Sequence, residues 1–432
     1  MKKIILYIVL FFVSINLLAQ DDIYPAGPQK ETIIIKNGTI HTATGAVIEN
    51  GVLVLKNGKI FSVGKATSES GTIIDATGKH IYPGMILAGT DLGLKEIGSG
   101  VRGSNDYNEL GDYNTSIRSL VAYNTDSRVI NTLRSNGILL ANVEPQGSLL
   151  TGSSSVVQLD AWNWEDAVYQ ADNGMHLNIP RMMQPFRRFF MMQQGTGGGD
   201  MVKEGIKKIE EVQHFFTEAK AYLKTAKKTE TNLKFEALRP LFEKKQKLFV
   251  HADISRQILM AIDFAKKFDI DVVVVGGSDS YLVADLLKQN NIPVILNAMH
   301  NLPVLDDDDI DQPFKTPAML QKAGVLFAIN DNHSNSRYRN LPFNAGTAVA
   351  YGLDKEQALQ ALTINAAKIL GIDKKTGSIE VGKDANIIIS QGDLFDMKSS
   401  VITDAFIQGR KIDLNNKQTQ LYERYRHRYG IN

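Results

Sequence analysis

The chain has 432 residues, enough for a barrel of about 250 residues and a second, smaller domain. Hydrophobic residues make up 43% and charged residues 22%, the balance of a soluble globular protein. With 48 basic residues against 47 acidic, the net charge of +1 offers no electrostatic argument for nucleic acid or for an acidic membrane surface. The absence of cysteine excludes disulfides, thiolate metal sites and a lipid anchor through an N-terminal Cys. Any metal must be held by His, carboxylates or carbonyls.

Lys2 and Lys3 precede an apolar run from Ile4 to Leu18, and Ala19 supplies a small residue at a cleavage point. Residues 1–19 therefore read as a secretory signal, with an uncleaved anchor as the alternative. The protein is expected to be exported, periplasmic or extracellular after cleavage near Ala19. Residues 20–30 read as a disordered lead-in. Residues 31–82 hold short strand patterns, with Asn37-Gly38 and Asn57-Gly58 suited to tight turns. A second set of strands spans 377–414, in GSIEVGKDANIIIS and VITDAFIQGRKI. Neither end carries enough apolar surface for its own core, so the two are expected to pair into one β-sandwich. Pro83-Gly84 marks the passage into the inserted segment 83–376, and Gly377 the way out.

Between them strand and helix signals alternate, as βα units do. ILLANVE, SVVQLD, KLFVHA, DVVVVGG, IPVILNA and VLFAIND are strand patterns. Helices are expected over 255–267, 280–289, 201–227 and in the run after Asn344. HLNIP (176–180) is the best candidate for the fourth barrel strand. The Phe/Met patch at 183–200 reads as a packed helix face or a lid, and Gly195–Gly199 as a hinge. Residues 415–432 form a tail, read as a solvated helix. The fold class is α/β: a TIM (β/α)8-type barrel inserted in a small β-sandwich formed by both chain ends.

The segments NGTIHT, GKHIYPGMI, LPFNAGTAVAYGL, ALTINAAKILGI and GSIEVGKDANIII together resemble the metal-dependent amidohydrolase superfamily, especially its imidazolonepropionase-like exported members. The resemblance covers roughly Thr32 to Ile412. It implies a His-x-His pair at the end of the first barrel strand, where residues i and i+2 face the barrel mouth together. Gly89 and Asp91 occupy those two positions here, and Leu87 stands where an acidic residue usually precedes them. His251 matches the fifth-strand ligand. Gly276 or Gly277 replaces the sixth-strand His, with Asp279 just beyond. Asp331, with Asn332 as the competing register, matches the eighth-strand Asp that acts as general base. No bridging Lys is found on the fourth strand.

The resemblance thus implies a reduced site. Asp91, His251 and Asp331 are the candidate metal ligands, and His251 and Asp331 the candidate catalytic residues. Such a set holds at most one divalent metal, Zn or Mn, or none. His300 and His333 could join from the mouth loops. The acidic run Asp306–Asp309 reads as a solvated loop, and His41, His80, His176, His214 and His427 as surface or structural residues. Trp162 and Trp164 read as a buried aromatic corner or a pocket wall, and Arg337 and Arg339 as exposed loop residues or a carboxylate clamp.

Three functions are carried forward. The first is an exported hydrolase of small cyclic or non-peptide C–N bonds. The others are a pseudoenzyme that binds a small amide or peptide, and a partner subunit of an active relative. The expected partners are a small-molecule or peptide-like substrate and a homo- or hetero-oligomer with a related amidohydrolase, but not nucleic acid.

Overall fold

The structure is a computed structural model that describes residues 23–96, 105–182, 201–225, 230–297, 299–300, 308–332 and 335–431. Its first sheet begins with β1 (Ile33–His41), β2 (Val47–Lys56), β3 (Lys59–Gly64), β4 (Thr72–Asp75) and β5 (His80–Pro83). The barrel strands follow: β6 (Met85–Thr90), β7 (Ile138–Val143), β8 (Leu150–Gln158), β9 (Val168–Asn178), β10 (Lys247–Ala252), β11 (Val272–Gly276), β12 (Val294–Leu296) and β13 (Phe327–Ile329). The chain then returns to the first sheet with β14 (Ile387–Ser390), β15 (Ile402–Ile407) and β16 (Arg410–Lys411).

The two ends of the chain meet where β14 pairs antiparallel with β5, Ile387 opposite Pro83 and Ile389 opposite Ile81. This joins them in one eight-stranded sheet. A shared core explains why neither end suffices alone. Ile35, Leu53 and Ile81 from the first end pack with Ile387, Ile389 and Phe406 from the second. The Asn57-Gly58 pair forms the expected two-residue turn between Lys56 and Lys59, both residues at positive φ.

Asn37-Gly38 is not a turn. It lies inside β1 as an irregularity of the ladder, with Asn37 at φ 65°. Before it β1 pairs with β4, and after it with β5. A Cβ at Gly38 would sit 2.8 Å from Ile81 Cδ1, so the switch of partner needs glycine there. The lead-in from Ile23, expected to be disordered, makes specific contacts with the rest of the chain. Ala26 N donates to Asp160 Oδ2 at 2.9 Å, and Arg410 Nη1 donates to Ala26 O at 2.8 Å.

The second sheet runs β6 to β13 in spatial order. Strands β6 and β7 are parallel, as are β9 through β13. The one exception is β8, antiparallel to both β7 and β9. This departs from the regular βα alternation read from the sequence, and the connections explain it. Residues 144–149 and 159–167 are too short for a crossover, which needs a dozen or more residues. The fourth barrel strand candidate is located: His176–Asn178 close β9, while Ile179 and Pro180 lie past its end.

The side chain of Asn330 bridges from the last strand to the first. Its Oδ1 accepts from Ala88 N at 2.9 Å and Gly89 N at 3.2 Å, and its Nδ2 donates to Gly89 O at 2.9 Å. The expected helices are present as Met201–Lys224, Ser255–Phe268, Leu341–Ala350, Lys355–Leu362 and Ile364–Leu370. The segment after β11 starts as a 3₁₀ turn, Ser280–Val283, before the helix Ala284–Gln289. Trp162 and Trp164 are 64% and 38% exposed, so they form no buried corner. The Phe/Met patch, its glycine hinge and the signal segment lie outside the described residues.

Candidate metal centre

The barrel mouth is built from strand ends that alternate apolar and polar residues. On β10 Phe249 and His251 share one face, two residues apart. On β9 His176 stands directly opposite Phe249 in the ladder, so it faces the same side, and its ring stacks on Phe249 at 5.1 Å. Glu144 follows the last residue of β7. These three side chains converge. His176 Nδ1 lies 3.0 Å from His251 Nε2 and 3.4 Å from Glu144 Oε2. One donor atom from each falls within 4.8 Å of the others.

Burial sets the charge of each group. Glu144 is pushed up to about 8, first by burial and then by the carboxylate of Asp91. His251 is pulled down to about 4 by burial, and His176 is held well below its ordinary value by burial and by His251. Both imidazoles are therefore neutral near pH 7 and present lone pairs, the form that ligates. His176 is fully buried, and its Nε2 has no partner among the described residues.

Two glycines make this arrangement fit. A Cβ at Gly89 would lie 2.9 Å from Glu144 Oε2, so the bare backbone on β6 leaves the space that the carboxylate fills. At the end of β11 the same thing happens. A Cβ at Gly276 would lie 2.4 Å from Asp253 Oδ1, and its φ of +102° further disfavours a side chain. At these two glycine positions, where the sequence lacks histidines of the family, the space is occupied by the carboxylates of Glu144 and Asp253.

Of the sequence candidates, only His251 belongs to the converging group. Asp91 accepts a hydrogen bond from Tyr338 Oη at 2.5 Å, lies 4.0 Å from Lys95 Nζ, and acts on Glu144 through its charge. Asp331 is buried, and its Oδ2 accepts from Asn344 Nδ2 at 3.1 Å. His300 Nε2 is 2.9 Å from Thr347 Oγ1, and His333 lies outside the described residues. Of the acidic run, Asp309 pairs with Lys315 at 3.1 Å. Arg337 and Arg339 are exposed.

His176, read from sequence as surface or structural, is fully buried and stands in this converging group. Glu144 was missed as well. The signal for both was the alternation itself: Asn142 and Glu144, His176 and Asn178, His251 and Asp253 each place polar residues two apart at a strand's C-terminal end. A cavity of about 290 Å³ has Pro145, Tyr107, Arg118 and Ser119 among its walls, and none of the three converging residues lines it.

Fold and mouth together define a barrel of the class that carries a metal at the C-terminal ends of its strands. Comparison with known proteins agrees. Residues 316–412 match the model of the amidohydrolase family. A solved amidohydrolase from Thermotoga maritima superposes with a TM-score of 0.75 at 28% identity, covering 88% of this chain and 99% of that one. An imidazolonepropionase from Picrophilus torridus is 31% identical over 175 residues, and an adenine deaminase from Desulforamulus reducens 32% identical over 106. The matched stretches take in 38% and 24% of this chain, and span only 42% and 17% of those two relatives. The chain belongs to the metal-dependent amidohydrolase superfamily.

Proposed function

We propose that the protein is an exported hydrolase of C–N bonds in small molecules, working with one divalent metal held by Glu144, His176 and His251. The observation that carries this is the convergence of three donor atoms within 4.8 Å at the barrel mouth. Two imidazoles and a carboxylate are the donor set of mononuclear catalytic sites, which use three protein ligands and keep a position open. When bound, the ion supplies a water of lowered pKa and polarises the substrate carbonyl.

The remaining steps fall to the protein. Glu144, as its carboxylate, and the two neutral histidines would hold the ion. Asp331, fixed at Oδ2 by Asn344, keeps the role implied by its match to the family's eighth-strand Asp: it accepts a proton from water and returns it to the leaving nitrogen. Asp91, oriented by Tyr338, adds negative charge beside Glu144 and favours a cation in the site. The names of the relatives, imidazolonepropionase and adenine deaminase, support a C–N bond in a small cyclic compound. Export rests on the charged and apolar run of residues 1–19.

The test is elemental analysis of mildly purified protein, with His176→Ala and Glu144→Ala beside it. About one ion per chain is expected, lost in both variants together with turnover of a panel of cyclic amides. Two ions per chain, or an ion retained by both variants, would overturn the assignment. Export is checked by sequencing the N-terminus of protein recovered outside the cytoplasm. Protein found only inside the cytoplasm, still beginning at Met1, would count against it.

A further inference from the structure

The helix Lys417–Tyr429 buries none of its residues, although an isolated helix of that length is marginal in water. Among the described residues, the hydrogen bonds that tie it to the body come from its cap and first turn. Asn416 Nδ2 donates to Ser135 Oγ at 2.8 Å, and Thr132 Oγ1 donates to Gln418 Oε1 at 3.3 Å. Asn416 Oδ1 also caps the helix, accepting from Gln418 N and Thr419 N at 2.9 and 3.0 Å. Beyond that turn Tyr422, Tyr425 and Tyr429 are 62%, 51% and 67% exposed.

At about 100° per residue, these tyrosines and Leu421 fall within one arc of roughly 100°. Lys417, Arg424 and Arg428 border one edge of the arc and Arg426 the other. Glu423 lies beyond Arg426 and pairs with it at 3.2 Å. Four basic residues stand against one acidic residue in this helix, a surplus that the whole-chain charge of +1 conceals. An aromatic stripe edged by cations is the layout of a helix lying in a membrane interface. There the rings sit at the level of the headgroups and the cations meet lipid phosphates.

We propose that the helix Lys417–Tyr429 docks the protein on an anionic lipid surface. Its open face is not a solvated one, as the sequence suggested, but is covered by lipid headgroups. Among the described residues no helix is long and apolar enough to cross a membrane, so the contact is peripheral. It is independent of the metal site.

The test is co-sedimentation of the full chain with vesicles of phosphatidylglycerol and phosphatidylcholine, against vesicles of phosphatidylcholine alone. The neutral vesicles control for the apolar run of residues 1–19. Binding is expected to favour the anionic vesicles and to weaken as salt is raised. Arg424→Gln with Arg428→Gln should lower the affinity roughly thirtyfold. Tyr422→Ser with Tyr425→Ser and Tyr429→Ser should lower it about tenfold. Because no side chain of this helix is buried, both variants should keep the wild-type melting temperature. Equal binding to both vesicle types, or equal binding by the variants, overturns the proposal. So does a stable dimer that the tyrosine variant dissociates, since the face would then belong to a second copy.

Discussion

Gly89 is the residue on which the mouth turns. Its missing side chain lets Glu144 swing into the position from which it meets His176 and His251. Gly89→Ala places a methyl 2.9 Å from a carboxylate oxygen at the end of a flexible side chain. The fold should absorb this and the site should not. Expected are a metal-free melting temperature within a few degrees of wild type and metal affinity lowered tenfold or more, on the order of 1.4 kcal/mol. Isothermal titration with Zn or Mn measures it, and unchanged affinity would mean that Glu144 is no ligand.

The same three groups shape stability against pH once metal is stripped. Glu144 has its folded pKa raised from 4.5 to about 8, so the unfolded chain releases a proton that the folded one keeps, and stability falls as pH rises through that window. His176 and His251 have lowered folded values, so their contribution is complete above 6.5 and is lost as pH falls below it. His251 is half-buried and contributes less than His176. Two histidines against one carboxyl give a rise in stability up to about pH 6.5. From there to about pH 8 Glu144 alone acts, with a fall of roughly 1.4 kcal/mol per pH unit. Urea midpoints of wild type minus Glu144→Gln isolate this term, and a flat difference between pH 6.5 and 8 would refute it. Restored metal should abolish the alkaline fall, because a coordinated carboxylate has no proton to lose.

Among the elements, the seam between β6 and β13 depends on a side chain. Asn330 satisfies two backbone donors and one backbone acceptor of Ala88 and Gly89. It also reaches Asn297 Oδ1 at 2.8 Å. Asn330→Ala leaves these groups buried without partners, at a cost of roughly 3 kcal/mol or more. Hydrogen exchange should show faster amide loss at Ala88 and Gly89. Exchange in the variant as slow as in wild type would place the closing interaction elsewhere. The antiparallel β8 belongs to this scale too. Its apolar pattern reads as a barrel strand from sequence, but its direction follows only from the six and nine residues that connect it.

Across the whole molecule, Asp160 ties the lead-in, the barrel and the returning end together. It is buried and meets Arg134 from the helix Arg128–Arg134 and Arg410 from β16, while its Oδ2 accepts from Ala26 N. Asp160→Ala strands two buried or part-buried guanidinium groups and should cost about 3–5 kcal/mol. Thermal unfolding should then show the first sheet separating at lower temperature than the barrel. A single transition close to that of wild type would show that this network contributes little to joining the units.

The local patterns were enough to predict the barrel and the sheet made from both chain ends. Apolar runs of strand length, helices between them and turn pairs such as Asn57-Gly58 are local properties, and the core of Ile35, Ile81, Ile387 and Phe406 follows from them. His251 at the end of KLFVHA was legible for the same reason. The grouping of Glu144, His176 and His251 was not, because its members come from the end of β7 and from β9 and β10. Whether Glu144 and His176 meet His251 depends on register across the barrel and on the space left at Gly89. Sequence alone specifies which side chains a strand end offers; only the closed barrel brings donors 107 residues apart in sequence, Glu144 and His251, within reach of one ion.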